Sequence, residues 1–266
     1  MTEQINTLPL AEMEEIIRGG AKIMLEADAL RMNVVQKAGT ANFVTEYDVR
    51  VQRYLEEAFS KLMPGCAFLA EEEERDSTPI GSGYTFIIDP IDGTTNFMLG
   101  RRASCISVAL LWDGVPVYGA VLDPYADRFY MAMKGKGAFC SGHPIRVSER
   151  EPDMGVAAIG TAPYYRELSK SVADTILALL DNFADIRRVG SAALDLCDVA
   201  CGASEAYCEP ILSPWDFAAG RLIVQEAGGI VTDYFGNDLP VDKKTSVLAA
   251  SPISYEALCR AVKGKL

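Results

Sequence analysis

The stretch Tyr84-Thr85-Phe86-Ile87-Ile88-Asp89-Pro90-Ile91-Asp92-Gly93-Thr94-Thr95-Asn96 decides how this chain is read. Its first five residues are β-branched or aromatic, the composition of a buried strand. The strand ends in two acids three residues apart, with a proline and a glycine that bend the chain. Both carboxylates and a backbone carbonyl between them can then converge on hard cations, which prefer oxygen ligands. The glycine and the amides after it can approach a phosphate closely. Asp-Gly after a strand is also a common turn signal, so the stretch alone leaves both readings open.

Just upstream, residues 66 to 70 form another short apolar run, followed by Glu71-Glu72-Glu73-Glu74. Acidic runs are usually solvated faces, and Glu73 and Glu74 are read that way. Glu71, the first acid past the strand, points at the site of Asp89 only if the two strands are neighbours. Far downstream, Ser213-Pro214-Trp215-Asp216 opens an apolar helix. A helix start with Ser213 as N-cap, Pro214 at N1 and Asp216 at N3 explains it, and a carboxylate there is also placed to ligate a metal.

Around these stretches the chain divides in two. A helix is expected from residue 7 to about 30, with Pro9 in its first turn and Leu10, Met13, Ile17, Ala21 and Met24 at helical spacing. A second follows Asp48, carries Val51, Leu55, Phe59 and Leu62 on one face, and stops at Pro64-Gly65. Strands at 105 to 111 and 115 to 122 flank Asp113-Gly114, a hairpin signal, and a third at 128 to 133 continues the meander. The charged, apolar-poor stretch 147 to 153 suggests a boundary between an α+β domain, 1–147, and an α/β domain, 148–266. In the latter, strands at 156 to 159, 206 to 209, 230 to 233 and 247 to 250 alternate with helices at 166 to 182, 191 to 202, 215 to 228 and 253 to 263.

Composition narrows the chemistry. Of the 266 residues, 49% are hydrophobic and 23% charged, the balance of an ordinary globular protein. No apolar run approaches the roughly 18 residues of a spanning helix, and early acids make the N-terminus unlike a secretory signal. The expectation is a cytoplasmic protein with no membrane association. Seven cysteines without a CxxC pair, odd in number, read as reduced thiols, with Cys197 and Cys201 as small buried apolar groups. The single His143 leaves no material for histidine metal clusters or histidine-based triads. Acid and base chemistry therefore falls to carboxylates, hydroxyls or metal-bound water. A net charge of −12 repels nucleic-acid backbones, so no direct nucleic-acid binding is expected. Divalent cations on the carboxylates would invert the local field for a phosphorylated metabolite.

The three motifs in this order resemble the inositol monophosphatase family. Its first signature is matched by Ile88 and the run DPIDGTTNF from Asp89 to Phe97, and its second, WDxAAGxxIxxEAGG, by Trp215 to Gly229. Glu71-Glu72 resembles the family's Gly-Glu-Glu with Ala70 in place of glycine; Val44-Thr45-Glu46-Tyr47-Asp48 is similar to its VTxxD segment, and 134 to 139 to its KGxGAF. The resemblance runs from the first helix to Ala250 and implies a layered αβαβα sandwich, usually a homodimer. It also implies a ligand set: Glu71, Asp89 and the Ile91 carbonyl for one Mg²⁺, and Asp89, Asp92 and Asp216 for a second. A third, weaker ion would sit near Glu71.

By the same resemblance Thr94 and Glu71 position the nucleophilic water, and the Gly93 and Thr94 amides hold the phosphate. Gly190, Ser191, Ala192 and Glu209 match positions that contact substrate hydroxyls, and Lys37 a lysine of a loop over the site. The activity implied is magnesium-dependent, lithium-sensitive hydrolysis of a phosphate monoester by in-line attack of a metal-activated water. Thr95-Asn96-Phe97 and Glu209 put inositol monophosphate ahead of fructose 1,6-bisphosphate, histidinol phosphate and 3′-phosphoadenosine 5′-phosphate. A regulatory protein-binding role is the alternative of another class. Asn42, where many members have aspartate, and Leu99-Gly100-Arg101-Arg102 depart from the family pattern and bear on substrate choice.

Overall fold

The computed structural model describes residues 7–27, 34–36, 43–72 and 80–265. In chain order the elements are α1 (Leu10–Leu25), β1 (Val34–Gln36), β2 (Phe43–Thr45), α2 (Glu46–Leu62), β3 (Ala67–Ala70), β4 (Tyr84–Asp92), α3 (Thr94–Met98), β5 (Cys105–Trp112), β6 (Val115–Asp123), β7 (Arg128–Met133), β8 (Gly137–Cys140) and β9 (His143–Ile145). The second half adds β10 (Val156–Ile159), α4 (Ser169–Leu180), β11 (Asp185–Arg187), α5 (Ala192–Ala200), β12 (Ala206–Leu212), α6 (Pro214–Glu226), β13 (Ile230–Thr232), β14 (Thr245–Ala250) and α7 (Tyr255–Val262). A seven-stranded sheet takes β3 to β9 in order, and a five-stranded sheet has the order β11-β10-β12-β14-β13.

Strand periodicity builds the layers, because successive side chains on a strand face opposite ways. In β4, Phe86 and Ile88 join a core with Met13, Ile17, Val51 and Leu55 of α1 and α2. Ile87, between them, joins a different core with Leu196 of α5 and Phe217 of α6. That central core also takes Tyr207 and Val247 from the five-stranded sheet. The neighbours Cys208 and Leu248 turn to the outer side, against Leu179 and Leu258 of α4 and α7. The result is the expected αβαβα sandwich, two helices outside each sheet and two shared between them. The 147–153 stretch links the last strand of the large sheet to the first strand of the small one.

Close approach of the layers explains two motifs that carry no chemistry. A Cβ on Gly119 of β6 would lie 2.7 Å from the Ala219 carbonyl, and one on Gly220 would lie 2.6 Å from Leu196. Only small residues fit where α6 crosses the sheet and α5. Glu226, at the end of α6, accepts from the Gly135 and Gly137 amides at 2.7 and 2.9 Å, fastening the turn before β8.

Two helices are shorter than their apolar periodicity suggests. Helix α1 ends at Leu25 and α4 begins at Ser169, after a 3₁₀ turn at Arg166–Leu168. Several strands are longer, and two of them carry the site. β4 continues through Asp92 and β12 through Leu212, each with a register shift.

Candidate active site

The shift in β4 is what makes two acids three apart act together. Asp89 pairs with Ser107 and Asp92 with Cys105, so three steps on β4 oppose two on β5. This is a β-bulge, and it supplies the odd residue that brings Asp92 back to the face of Asp89. Pro90, which has no N–H to offer a ladder, lies inside it. In β12 the same grammar recurs: Glu209 pairs with Val247 and Leu212 with Thr245, with Pro210 in the bulge. Each sheet thus bends at an acid-Pro-Ile triplet, Asp89-Pro90-Ile91 in one and Glu209-Pro210-Ile211 in the other, and both triplets face one cavity of about 480 Å³.

Strand pairing also settles Glu71. β3 lies parallel to β4 with Ala70 opposite Ile88, so Glu71 leaves its strand beside Asp89, and both line the cavity. Asp216 arrives from the first turn of α6, where its Oδ2 accepts from the Ser213 amide at 2.7 Å. The Ser107 hydroxyl, on β5, donates to the Trp215 carbonyl at 3.2 Å and holds that helix start against the sheet. Asp89, Asp92 and Asp216 each offer an oxygen within 4.8 Å of the other two. The helix-start reading and the ligand reading of Asp216 are therefore compatible.

The cluster is electrostatically loaded. Burial, then Glu71, Asp92 and Asp216, push the Asp89 carboxyl well above the usual carboxylate range. Asp216 is raised likewise by burial and by Asp92 and Glu71. Asp92 is raised by burial, against the pull of hydrogen bonds to its Oδ2 from Ser191 Oγ at 2.5 Å and the Ala193 amide at 2.7 Å. Among the described residues, no lysine or arginine forms an ion pair with any of these three aspartates. Three close carboxylates without a basic partner, all oxygen donors, suit a hard divalent cation.

The hydroxyl of Thr94 lies 3.2 Å from the Ile91 carbonyl and 3.4 Å from Asp48 Oδ1. Asp48 was not singled out by the sequence as a site residue, although its segment was. It is buried, receives both the Thr45 amide and the Thr45 hydroxyl on Oδ2, at 2.8 and 2.5 Å, and closes the capping box of α2. Burial pushes its carboxyl up to about 6. The Thr-x-x-Asp spacing ahead of an apolar helix is the signal that marks it.

Gly93 has φ +88°, and a Cβ there would lie 3.0 Å from the Ala103 carbonyl and 3.2 Å from that of Gly190. The left-handed conformation and the crowding both require glycine. Asn96 completes the turn, its Nδ2 donating to Ala103 at 2.7 Å and Val189 at 2.9 Å, which fastens the β4 turn to the segment that holds Gly190. Ser191 caps α5 and donates to Asp92, so its hydroxyl supports the acidic cluster. Glu209 is buried, accepting from the Ala162 amide at 2.8 Å and the Tyr207 hydroxyl at 2.7 Å. Gly190, Ser191, Ala192 and Glu209 all line the cavity. Lys37, Asn42, Glu73 and Glu74 lie outside the described residues.

The wall residues unmarked by the sequence include Tyr164, Tyr165, Arg188 and Lys244. They sit in connecting segments without periodicity, and only the fold brings them together. Tyr164 stands at the rim, 46% exposed, and partial desolvation followed by Glu71 and Asp216 raises its phenol. A larger cavity of about 920 Å³, lined in part by Arg221, contains none of the expected site residues.

Solved structures share this arrangement of layers. A crystal structure of the extragenic suppressor protein suhB from Bartonella henselae superposes with a TM-score of 0.88 at 31% identity, covering 97% of this chain and 99% of that one. The chain is 41% identical over 215 residues to the putative Nus factor SuhB of Neisseria meningitidis serogroup B, covering 79% of this chain and 80% of the relative. It is 31% identical over 253 residues to inositol monophosphatase 1 of Bos taurus, covering 91% and 89%. The sandwich with acids gathered between its sheets thus belongs to a class of phosphomonoesterases. Within that class, the chain belongs to the inositol monophosphatase family, whose profile it matches over residues 7–265.

Proposed function

We propose that this chain is a Mg²⁺-dependent phosphomonoesterase acting on a polyol monophosphate, with myo-inositol monophosphate its best substrate. The observation that carries the reading is the convergence of Asp89, Asp92 and Asp216, three partly or fully buried carboxylates with oxygens within 4.8 Å of one another. Glu71, Asp89 and the Ile91 carbonyl would hold one Mg²⁺; Asp89, Asp92 and Asp216 would hold a second, and Glu71 lies where a third would be held. Bound there, the ions supply Lewis acidity to the phosphate and lower the pKa of a water.

The remaining work falls to the protein. Glu71 and Thr94 orient the attacking water, and Asp48, 3.4 Å from the Thr94 hydroxyl, accepts a hydrogen bond from it and fixes its direction. The amides of Gly93 and Thr94 hold the phosphate, which the left-handed turn at Gly93 presents to the cavity. Gly190, Ser191 and Ala192 shape the wall behind the leaving group. Glu209 retains lone pairs beyond the two it shares with Ala162 and Tyr207, and accepts from a substrate hydroxyl. In-line displacement is completed on this frame without an enzyme-bound phosphoryl group.

The decisive experiment measures phosphate release from inositol monophosphate, fructose 1,6-bisphosphate, histidinol phosphate and 3′-phosphoadenosine 5′-phosphate, with Mg²⁺ and with EDTA. Turnover of inositol monophosphate above the others, lost in EDTA, restored by Mg²⁺ and inhibited by Li⁺, is the expected result. Full activity in a metal-stripped sample would overturn it. A second reading draws on the Neisseria relative, which bears the name Nus factor: a regulatory protein-binding role beside the phosphatase. Capture of partners by an Asp216→Asn variant as well as by the parent chain would separate the two roles. A cytoplasmic homodimer is part of the same proposal and follows from the family rather than from the fold.

A further inference from the structure

Among the described residues that line the active-site cavity, two carry positive charge, Arg188 and Lys244. Both are exposed and stand in connections, Arg188 after β11 and Lys244 before β14. In a chain of net charge −12 an acid is the expected partner for a cation, and Arg128, Arg150 and Arg187 have one, in Asp123, Glu205 and Asp185. Arg188 and Lys244 form no ion pair among the described residues. Each is tied instead to a neutral hydroxyl: Arg188 Nε donates to Thr161 Oγ1 at 3.1 Å, and Lys244 Nζ to the Tyr165 hydroxyl at 2.9 Å. Their charge is therefore uncompensated, and donors remain on both the guanidinium and the ammonium.

The tethers put these cations on the alcohol side of the cavity. Thr161 and Tyr165 belong to one connection, which follows β10, and between them the Ala162 amide donates to Glu209 at 2.8 Å. The guanidinium of Arg188 also packs on Gly190, where a Cβ would lie 2.8 Å from Nη1, so glycine at that point of the wall leaves it room. The scissile phosphate belongs to the ions on Asp89, Asp92 and Asp216 and to the turn at Gly93. A pair of cations fixed to the segment that holds Glu209 is thus left for a different anion. Holding the side chains in place beforehand also lowers the entropy cost of binding it.

We propose that Arg188 and Lys244 form an anion subsite for a second acidic group, phosphate or carboxylate, carried by the alcohol part of the substrate. The substrate class widens from neutral polyol phosphates to polyol phosphates with a remote anion. The guanidinium matches the fork of a carboxylate or phosphate, and the ammonium adds a point charge. The subsite acts on binding, away from the reacting phosphorus. This assignment rests on the phosphomonoesterase reading.

The test uses the full chain in Mg²⁺ with three esters that differ only at C6: glucose 1-phosphate with a hydroxyl there, glucuronic acid 1-phosphate with a carboxylate, and glucose 1,6-bisphosphate. KM is measured for each, or Ki against myo-inositol 1-phosphate where an ester is not cleaved. The parent chain should bind the C6 anions about 10-fold or more tighter than glucose 1-phosphate, the scale of two partly exposed charge pairs. Arg188→Gln and Lys244→Gln keep a donor for Thr161 and Tyr165 and remove the charge. Each should weaken the anionic esters by about 3- to 10-fold and glucose 1-phosphate by less than about twofold, with kcat nearly unchanged. Arg188→Lys should recover part of the loss. Tighter binding of the bisphosphate alone would assign the subsite to phosphate, and of both anionic esters to either group. Equal losses on all three esters in both variants would make the cations a general attractor for the scissile phosphate and overturn the subsite, as would C6 anions that bind no better than the hydroxyl. If Arg188→Gln disturbs the wall at Gly190, Lys244→Gln decides by the same ratio. If the parent chain releases no phosphate from myo-inositol 1-phosphate or from any of the three, the phosphatase reading falls and the subsite with it; if it does and the ratios stay fixed, the subsite alone falls.

Discussion

Asp48→Asn should raise stability at neutral pH relative to acid while lowering turnover, because the same buried carboxylate serves both. Burial pushes the Asp48 carboxyl from about 3.8 in the unfolded chain up to about 6. A raised carboxyl means that the folded state prefers the protonated form. Its contribution to stability is complete below about pH 4 and is lost as pH rises through about 6. The shift spans about two pH units, and at ~1.4 kcal/mol per unit the loss is about 3 kcal/mol. Asparagine does not titrate, and its carbonyl can still accept from the Thr45 amide and hydroxyl that now meet on Oδ2. In urea unfolding from pH 4 to pH 8, with EDTA present to keep cations off the neighbouring acids, the variant should gain about 3 kcal/mol on the parent. Most of that gain should fall between pH 4 and 6, with a plateau above 7. In Mg²⁺ its kcat should drop by roughly 10²-fold or more, since an amide whose carbonyl stays with Thr45 turns its NH₂ to Thr94 and cannot accept from that hydroxyl. Parallel stability curves would show that the carboxyl is not raised, and an unchanged kcat would remove Asp48 from the mechanism.

Asp89→Asn should lose Mg²⁺ affinity and turnover together in a calorimetric titration paired with kinetics, with little rescue by excess Mg²⁺; unaltered affinity would refute its bridging role. Thr94→Ala should bind Mg²⁺ nearly normally, keep KM within a few-fold and lose on the order of 10² to 10⁴ in kcat, with Thr94→Ser recovering much of it. Gly93→Ala forces a Cβ to within 3.0 Å of the Ala103 carbonyl at φ +88°, so stability should fall by about 1 to 2 kcal/mol from the left-handed backbone alone, and a melting temperature equal to the parent's would contradict the crowding. Glu209→Gln should weaken inositol monophosphate by roughly 1.5 to 3 kcal/mol in transition-state binding and an aryl phosphate by less; equal losses would take Glu209 out of substrate selection.

Much of this molecule is written locally. The strands at 128 to 133 and 156 to 159 fall where alternation and β-branching put them. Asp113-Gly114 turns the chain with φ of 50° and 75°, the left-handed pair that its hairpin needs. The ligand candidates Asp89, Asp92 and Asp216 are legible because turn and capping chemistry is carried by residues adjacent in sequence. Helix ends are less legible: the apolar stripe of α1 has no glycine or proline near Leu25 to mark a stop.

What the sequence determined by itself is therefore the inventory: which segments are strands and helices, that the chemistry rests on carboxylates, and that no histidine device is available. The tertiary structure decided which of those carboxylates meet. Glu71 reaches Asp89 because β3 lies parallel beside β4, and Asp92 turns to the same side because the bulge at Pro90 breaks the twofold alternation that spacing alone would give it. Asp48 meets Thr94 across 46 residues, and Asn96 binds Val189 across 93. These are long-range consequences of stacking two sheets on a shared layer of helices. No window of neighbouring residues contains them, because the forces that set them are burial and register rather than local backbone preference.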